Sequence, residues 1–352
     1  MIHFVLLIVA AAAIYLACEW FVNAVEWLGH RLQVGPLAVG TILAAFGTAL
    51  PESVVTFVAV VPGSSASQKS IGVGAAMGGP LVLATIAYGV TGWMMLTRRR
   101  ARVYAATTVP VGGPGSDTLA RKPSQARDDL GDLGKLARDQ RWFLAIFAVK
   151  VALGLVAFAI KPWLGLLFFT AYGVYFWREI RAEGGTSQDE DLHPLRLQRR
   201  RPQPATWAVA TQTLATIVVI FAASQLFVHQ LEAIGPMLGL PAAVAALLLS
   251  PIATELPEIM NAIIWVRQGK TRLALANISG AMMIQATVPS GLGLLFTPWR
   301  FGPAILLSGL TTMVAIGYLL TLLRTGRFTA RTLSFAALPY LAFAVCLIPV
   351  LA

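Results

Sequence analysis

Glu255 and Glu258 stand three residues apart in the stretch LSPIATELPEIM (249–260), inside an otherwise apolar run, and Glu52 stands in a similar setting in GTALPE (47–52). A carboxylate surrounded by hydrocarbon costs on the order of a few kcal/mol, so residues of this kind read as functional by default. Their neighbours suggest the chemistry. Taken as helices, the two stretches place Thr48 on the face of Glu52, and Thr254 on the face of Glu255 and Glu258. Each also holds a proline, Pro51 or Pro257, that removes one N–H and pushes away the carbonyl a turn earlier. Freed carbonyls deep in a membrane are tolerated only where they find a partner or line a cavity. Carboxylates, hydroxyls and loosened carbonyls together form the oxygen-rich set that a hard cation prefers. No covalent catalysis is implied by these residues, and no nucleotide motif argues for an ATP-driven pump.

The elements that must position these groups are membrane spans. The 352 residues are 57% hydrophobic and only 12% charged, against roughly 25% charged in soluble domains, which excludes an ordinary soluble enzyme. Ten segments are long and apolar enough to be spans: 4–24, 35–61, 71–96, 142–160, 162–177, 206–230, 240–266, 273–296, 302–323 and 331–351. The first has no basic flank or clear cleavage site and reads as a span rather than a removed signal. Cys18 and Cys346 sit in apolar segments, form no metal spacing, and read as buried apolar residues.

The net charge of +11 follows topology. With both termini outside, 23 of the 27 basic residues fall in the loops after spans 1, 3, 5, 7 and 9, and Lys69, Lys161 and Arg300 fall outside. That bias is the positive-inside pattern, so the basic excess does not point to nucleic acid. The loops 97–141 and 178–204 are then cytoplasmic. The first reads as a disordered stretch ending in a short interfacial helix with a weak Leu130, Leu133, Leu136 stripe. The second carries the acidic cluster Asp189, Glu190, Asp191, whose spacing matches no calcium loop and which reads as a solvated linker.

The linker 178–204 divides the chain into five spans (1–177) and five more (205–352), so the second half enters the membrane from the opposite side. Repeats arranged in this way are inverted repeats, a common plan of secondary transporters. The sequence supports a repeat. A shift of 206 residues places Phe21 on Phe227, Thr48 on Thr254, Pro51 on Pro257 and Glu52 on Glu258, and a shift of 202 aligns IGVGAAMGGPLV with LALANISGAMMI. The fold class expected is an all-α integral membrane protein of ten transmembrane helices in two inverted five-helix repeats, with motif regions at 40–84 and 246–286.

These two motifs resemble the α-repeats of the sodium/calcium exchanger superfamily, the cation/Ca²⁺ antiporters, usually GTSLPE followed by a GSNxxN-like segment. The resemblance extends over nearly the whole chain. It implies that Glu52 and Glu258 are central Ca²⁺ ligands, that Thr48 and Thr254 support them, and that spans 1 and 6 move against the rest. No cofactor is implied; the transported ions would be Ca²⁺ and Na⁺ or H⁺, exchanged across the bilayer of the plasma (cell inner) membrane.

The departures are specific. Ala49 and Glu255 replace the motif serines, Gly78-Gly79-Pro80 and Leu83 replace the first amide-bearing segment, and Gln285 stands where an Asn or Asp ligand is expected. The metal-site candidates are therefore Glu52, Glu258, Glu255, Thr48, Thr254 and Gln285, with Glu255 as a compensating acid. Two carboxylates on one helix face would share a proton when no ion is bound, so proton coupling fits these residues about as well as sodium coupling. Another divalent substrate, a cation channel, or a homologue that no longer transports are the alternatives. Glu19 could pair with Lys150, the basic residue deepest in a span. Asn277 and Ser279 could face the ion path or instead hydrogen-bond between helices.

Overall fold

A computed structural model of the chain describes residues 2–33, 35, 38–61, 66–108, 133–182, 192–237, 248 and 250–351. Within these residues some helical side chains, that of Glu52 among them, are not described. The described residues are mostly helical, with no strand among them. In chain order the helices are α1 (Ile2–Arg31), α2 (Ala45–Val60), α3 (Ala66–Val82), α4 (Tyr88–Thr108), α5 (Leu133–Leu155), α6 (Gly165–Ala182), α7 (Thr206–Met237), α8 (Ser250–Thr254), α9 (Leu256–Gln268), α10 (Thr271–Phe296), α11 (Pro303–Arg324), α12 (Ala330–Ser334) and α13 (Leu338–Leu351). Six apolar stretches, in α1, across α3–α4, in α7, α10 and α11, and across α12–α13, have the length and hydropathy to cross a bilayer.

Burial separates two kinds of helix. The centre is α10, most of whose residues are buried, packed against α2, α3, α5, α6 and α9. In α1 and α13 large apolar side chains such as Ile8, Val9, Leu341, Val345 and Ile348 are exposed instead. In water that surface would be prohibitive; in a bilayer it is the surface that meets lipid. Cys346 lies on it and is exposed, while Cys18 is buried, so the expectation of two buried cysteines holds for one only. The long helices α1 and α7 pack along one another.

Two π-helical segments interrupt this pattern, Val39–Ala44 leading into α2 and Leu83–Ala87 joining α3 to α4. Such wide turns are rare and gather at functional sites. The first lies directly on α10, where Gly40 and Gly280 have no room for a Cβ against the facing chain.

Two sequence expectations need correction. The short interfacial helix before residue 142 is the first turns of α5, which runs unbroken from Leu133; Leu136 is buried in the core, and Leu130 lies outside the described residues. The cause is a set of buried polar partners. Lys135 pairs with Glu179 of α6 at 2.6 Å, and Gln140 donates to the Tyr88 hydroxyl at 2.7 Å. Glu19 does not pair with Lys150. It meets Arg196 at 3.2 Å at a half-exposed position, whereas Lys150 finds a different partner described below. Asp189, Glu190 and Asp191 lie outside the described residues.

Candidate functional site

Where the sequence suggests one long span over 240–266, the described part is broken. Helix α8 ends at Thr254, Glu255 is the N-cap of α9 with φ −88° and ψ 3°, and Pro257 lies in the first turn of α9. Proline is at ease there because its missing N–H would have no partner in a first turn anyway. The break puts Glu255 at a joint and Glu258 in the first turn of α9, where the partial positive charge of the helix N-terminus favours a carboxylate. Both are buried, Glu255 at 0% and Glu258 at 1% exposure.

Glu255 reaches across to α10. The Gln285 side-chain amide donates to both of its carboxylate oxygens, at 2.7 and 2.8 Å. The Gln285 oxygen Oε1, also buried, has no hydrogen-bond partner among the described residues. Helix α3 closes the third side with bare backbone. A Cβ at Gly79 would lie 2.6 Å from Gln285 Oε1 and 2.7 Å from Glu255 Oε1, and one at Gly78 would lie 2.5 Å from Pro251 Cγ. Gly79, which takes the place of the motif serine, therefore has a physical reason: it makes room for the carboxylate supplied by Glu255.

Thr48 and Thr254 each direct the hydroxyl proton to their own helix, Thr48 to Ala44 O at 3.0 Å and Thr254 to Pro251 O at 3.2 Å. Their oxygen lone pairs remain able to accept or to face a cation. Glu52 occupies the second turn of α2, one turn beyond Thr48, and its side chain lies outside the described set. Of the six predicted residues, the structure brings Glu255 and Gln285 into contact and sets Glu258 one turn from Glu255 on the same chain segment.

Prolines inside α3 and α10 free two further carbonyls, and both find donors. Pro80 frees Ala76 O, which accepts from Lys150 Nζ at 2.9 Å; Pro289 frees Gln285 O, which is 3.4 Å from Ser290 Oγ. Lys150 is fully buried, with its ammonium 4.5 Å from the Phe147 ring centre. Its link to α3 was invisible in the sequence, although Pro80 was a usable signal that a donor was needed four residues earlier. The network of Lys135, Glu179, Thr41, Gln140, Tyr88 and Ser279 was missed as well. It assigns Ser279 to bonding between helices. Asn277 makes no such bond among the described residues.

A multi-pass helical bundle with buried carboxylates at a helix break, faced by an amide and bare backbone, defines a membrane protein that handles cations. The model of the family described as "Sodium/calcium exchanger protein" matches residues 2–180 and 208–348, and the chain belongs to that family of cation antiporters. It is 24% identical over 327 residues to the inner membrane protein YrbG of Escherichia coli (strain K12), covering 90% of this chain and 87% of that one. It is also 24% identical over 284 residues to the putative antiporter CaxA of Alkalimonas amylolytica, covering 80% and 77%. Among solved structures, the sodium-calcium exchanger NCX_Mj soaked with 2.5 mM Na⁺ and 0.1 mM Ca²⁺ superposes with a TM-score of 0.69, at 14% identity and 97% coverage of both chains.

Proposed function

We propose that this protein exchanges Ca²⁺ for Na⁺ or H⁺ by alternating access, at a centre formed by Glu52, Glu255 and Glu258 with Thr48, Thr254 and Gln285 beside them. The observation that carries this reading is the contact of Glu255 with Gln285 over Gly79. There, an acid at a serine position and an amide at an acid position compensate one another at a helix break. Ten spans form two inverted five-helix repeats, 1–177 and 205–352, and the basic loops place both termini outside. One ion or the other occupies the centre in each half-cycle, because an uncompensated cluster of negative charge in a low-dielectric interior is costly. Helices α1 and α7 move together as the mobile part, consistent with their packing along one another.

Proton coupling has a specific observation in its favour. Ala49 and Gly79, which stand at serine positions of the motifs, offer no side-chain oxygen for Na⁺. The test is ⁴⁵Ca²⁺ uptake into proteoliposomes under imposed Na⁺ or H⁺ gradients, with Glu255→Ser beside the parent. Uptake driven by one gradient identifies the coupling ion. Uptake driven by neither overturns the antiporter reading, and single-channel conductance would assign the protein to a different class.

A further inference from the structure

Among the described buried amides, Asn23, Gln140, Gln212, Gln230 and Gln285 each make at least one side-chain hydrogen bond. Asn261 and Asn277 make none: both are 0% exposed, and the nitrogen and oxygen of each lack a hydrogen-bond partner among the described residues. A buried amide that bonds nothing is rare in folded proteins, and each instance asks for a partner of another kind.

Their placement supplies one. Helices α9 and α10 form a tight hairpin around Gly269, which adopts the left-handed conformation with φ 89°. Asn261 lies eight residues before Gly269 and Asn277 eight after it, so on antiparallel helices both sit about 12 Å from the turn. Glu258 is three residues beyond Asn261, about 4.5 Å deeper. The π-helical segment Val39–Ala44 meets α10 at this depth, since a Cβ on Gly40 would lie 3.3 Å from the Asn277 backbone nitrogen. The turn itself carries Arg267, Lys270 and Arg272, the basic signature of a cytoplasmic end.

We infer that Asn261 and Asn277 form an inner cation station, a pair of neutral amide oxygens that takes a partly hydrated hard cation on its way between the cytoplasm and the carboxylates. Amide oxygens are ordinary ligands for hard cations. Being neutral, they hold an ion more weakly than carboxylates do, which suits a station that must also release it. The station is one-sided. The shifts of 206 and 202 residues that relate the halves place Val55 opposite Asn261 and Ala75 opposite Asn277, so the outer path has no counterpart. This inference rests on the antiporter reading and on the orientation proposed with it.

The experiment measures half-saturating Ca²⁺ separately at each face, in proteoliposomes with the transporter in a known orientation. Asn261→Ala and Asn277→Ala should raise the value roughly tenfold at the face bearing the Gly269 turn, the lower range for loss of a metal-site partner, and leave the other face and the maximal rate near those of the parent. Asn261→Ser and Asn277→Ser, which keep an oxygen, should lie between the alanine variants and the parent at that face. Unchanged values at both faces, or an equal rise at both, overturn the station, as does an alanine protein that misfolds while its serine counterpart folds and behaves as the parent. A parent that transports while its variants show no sided effect overturns the station alone. A parent that does not transport overturns the antiporter reading together with it.

Discussion

Glu255 is the residue that most distinguishes this chain from the pattern its motifs resemble. It stands where a serine is expected, and its carboxylate accepts the Gln285 amide across a gap that only a glycine at 79 leaves open. The acid has in effect moved from α10 to α9, and an amide stands in its former place. If the charge at the contact matters more than the helix that bears it, the move is reversible. Glu255→Ser and Gln285→Asp as single changes should each lower calcium flux about tenfold or more, since each upsets a ligand or its direct partner. The double variant, with the acid back on α10, should recover to within a few-fold of the parent. Flux in matched proteoliposomes checks this, and a double variant no better than the worse single change would refute it. Adding a carbon at position 79 probes the same contact from α3. Gly79→Val should cost about 1–3 kcal/mol through overpacking and remove transport, read as a lower melting temperature in detergent together with lost flux.

At the scale of elements, two ion pairs differ in how deeply they tie helices together. Lys270, at the start of α10, holds Glu26 of α1 at 2.6 Å, and the Trp265 indole donates to the same carboxylate at 3.0 Å. Glu26 is buried, so Lys270→Ala strands a carboxylate and should destabilise the protein by about 3 kcal/mol. Glu26→Gln leaves a neutral amide that still accepts from Trp265 and should cost less than half as much. The pair Glu19–Arg196 is partly exposed, and surface pairs of this type contribute about 0–1 kcal/mol, so Arg196→Ala should leave the melting temperature almost unchanged. Thermal unfolding of the three variants in one detergent gives the order; equal losses would show that burial does not set these pairs apart.

For the whole molecule, topology and motion make the prediction. Single cysteines at Lys69 and Arg300 should react with an impermeant maleimide from outside intact cells, and a cysteine at Arg199 only after permeabilisation, with Cys18 and Cys346 first replaced by alanine. Labelling of Arg199 from outside would reverse the orientation. The same orientation places the Gly269 turn, and the Glu26–Lys270 tie between α1 and α10, on the cytoplasmic side.

The sequence by itself determined the class of the protein. Apolar runs of span length, carboxylates inside them, and like motifs in both halves are one-dimensional signals, because hydrocarbon penalises polar groups wherever they occur along a chain. It also identified Glu255 and Gln285 as anomalies. Only the tertiary structure decided that they touch, that Gly79 is the bare surface on which they meet, and that Lys150 serves the carbonyl freed by Pro80 rather than Glu19. It alone extended α5 back to Leu133 over a buried ion pair, and left Asn277 without the hydrogen bond between helices that its type suggests. The physical reason is common to these cases. Which polar group satisfies which depends on the packing of helices distant in sequence, and burial fixes the cost of leaving any of them unmet.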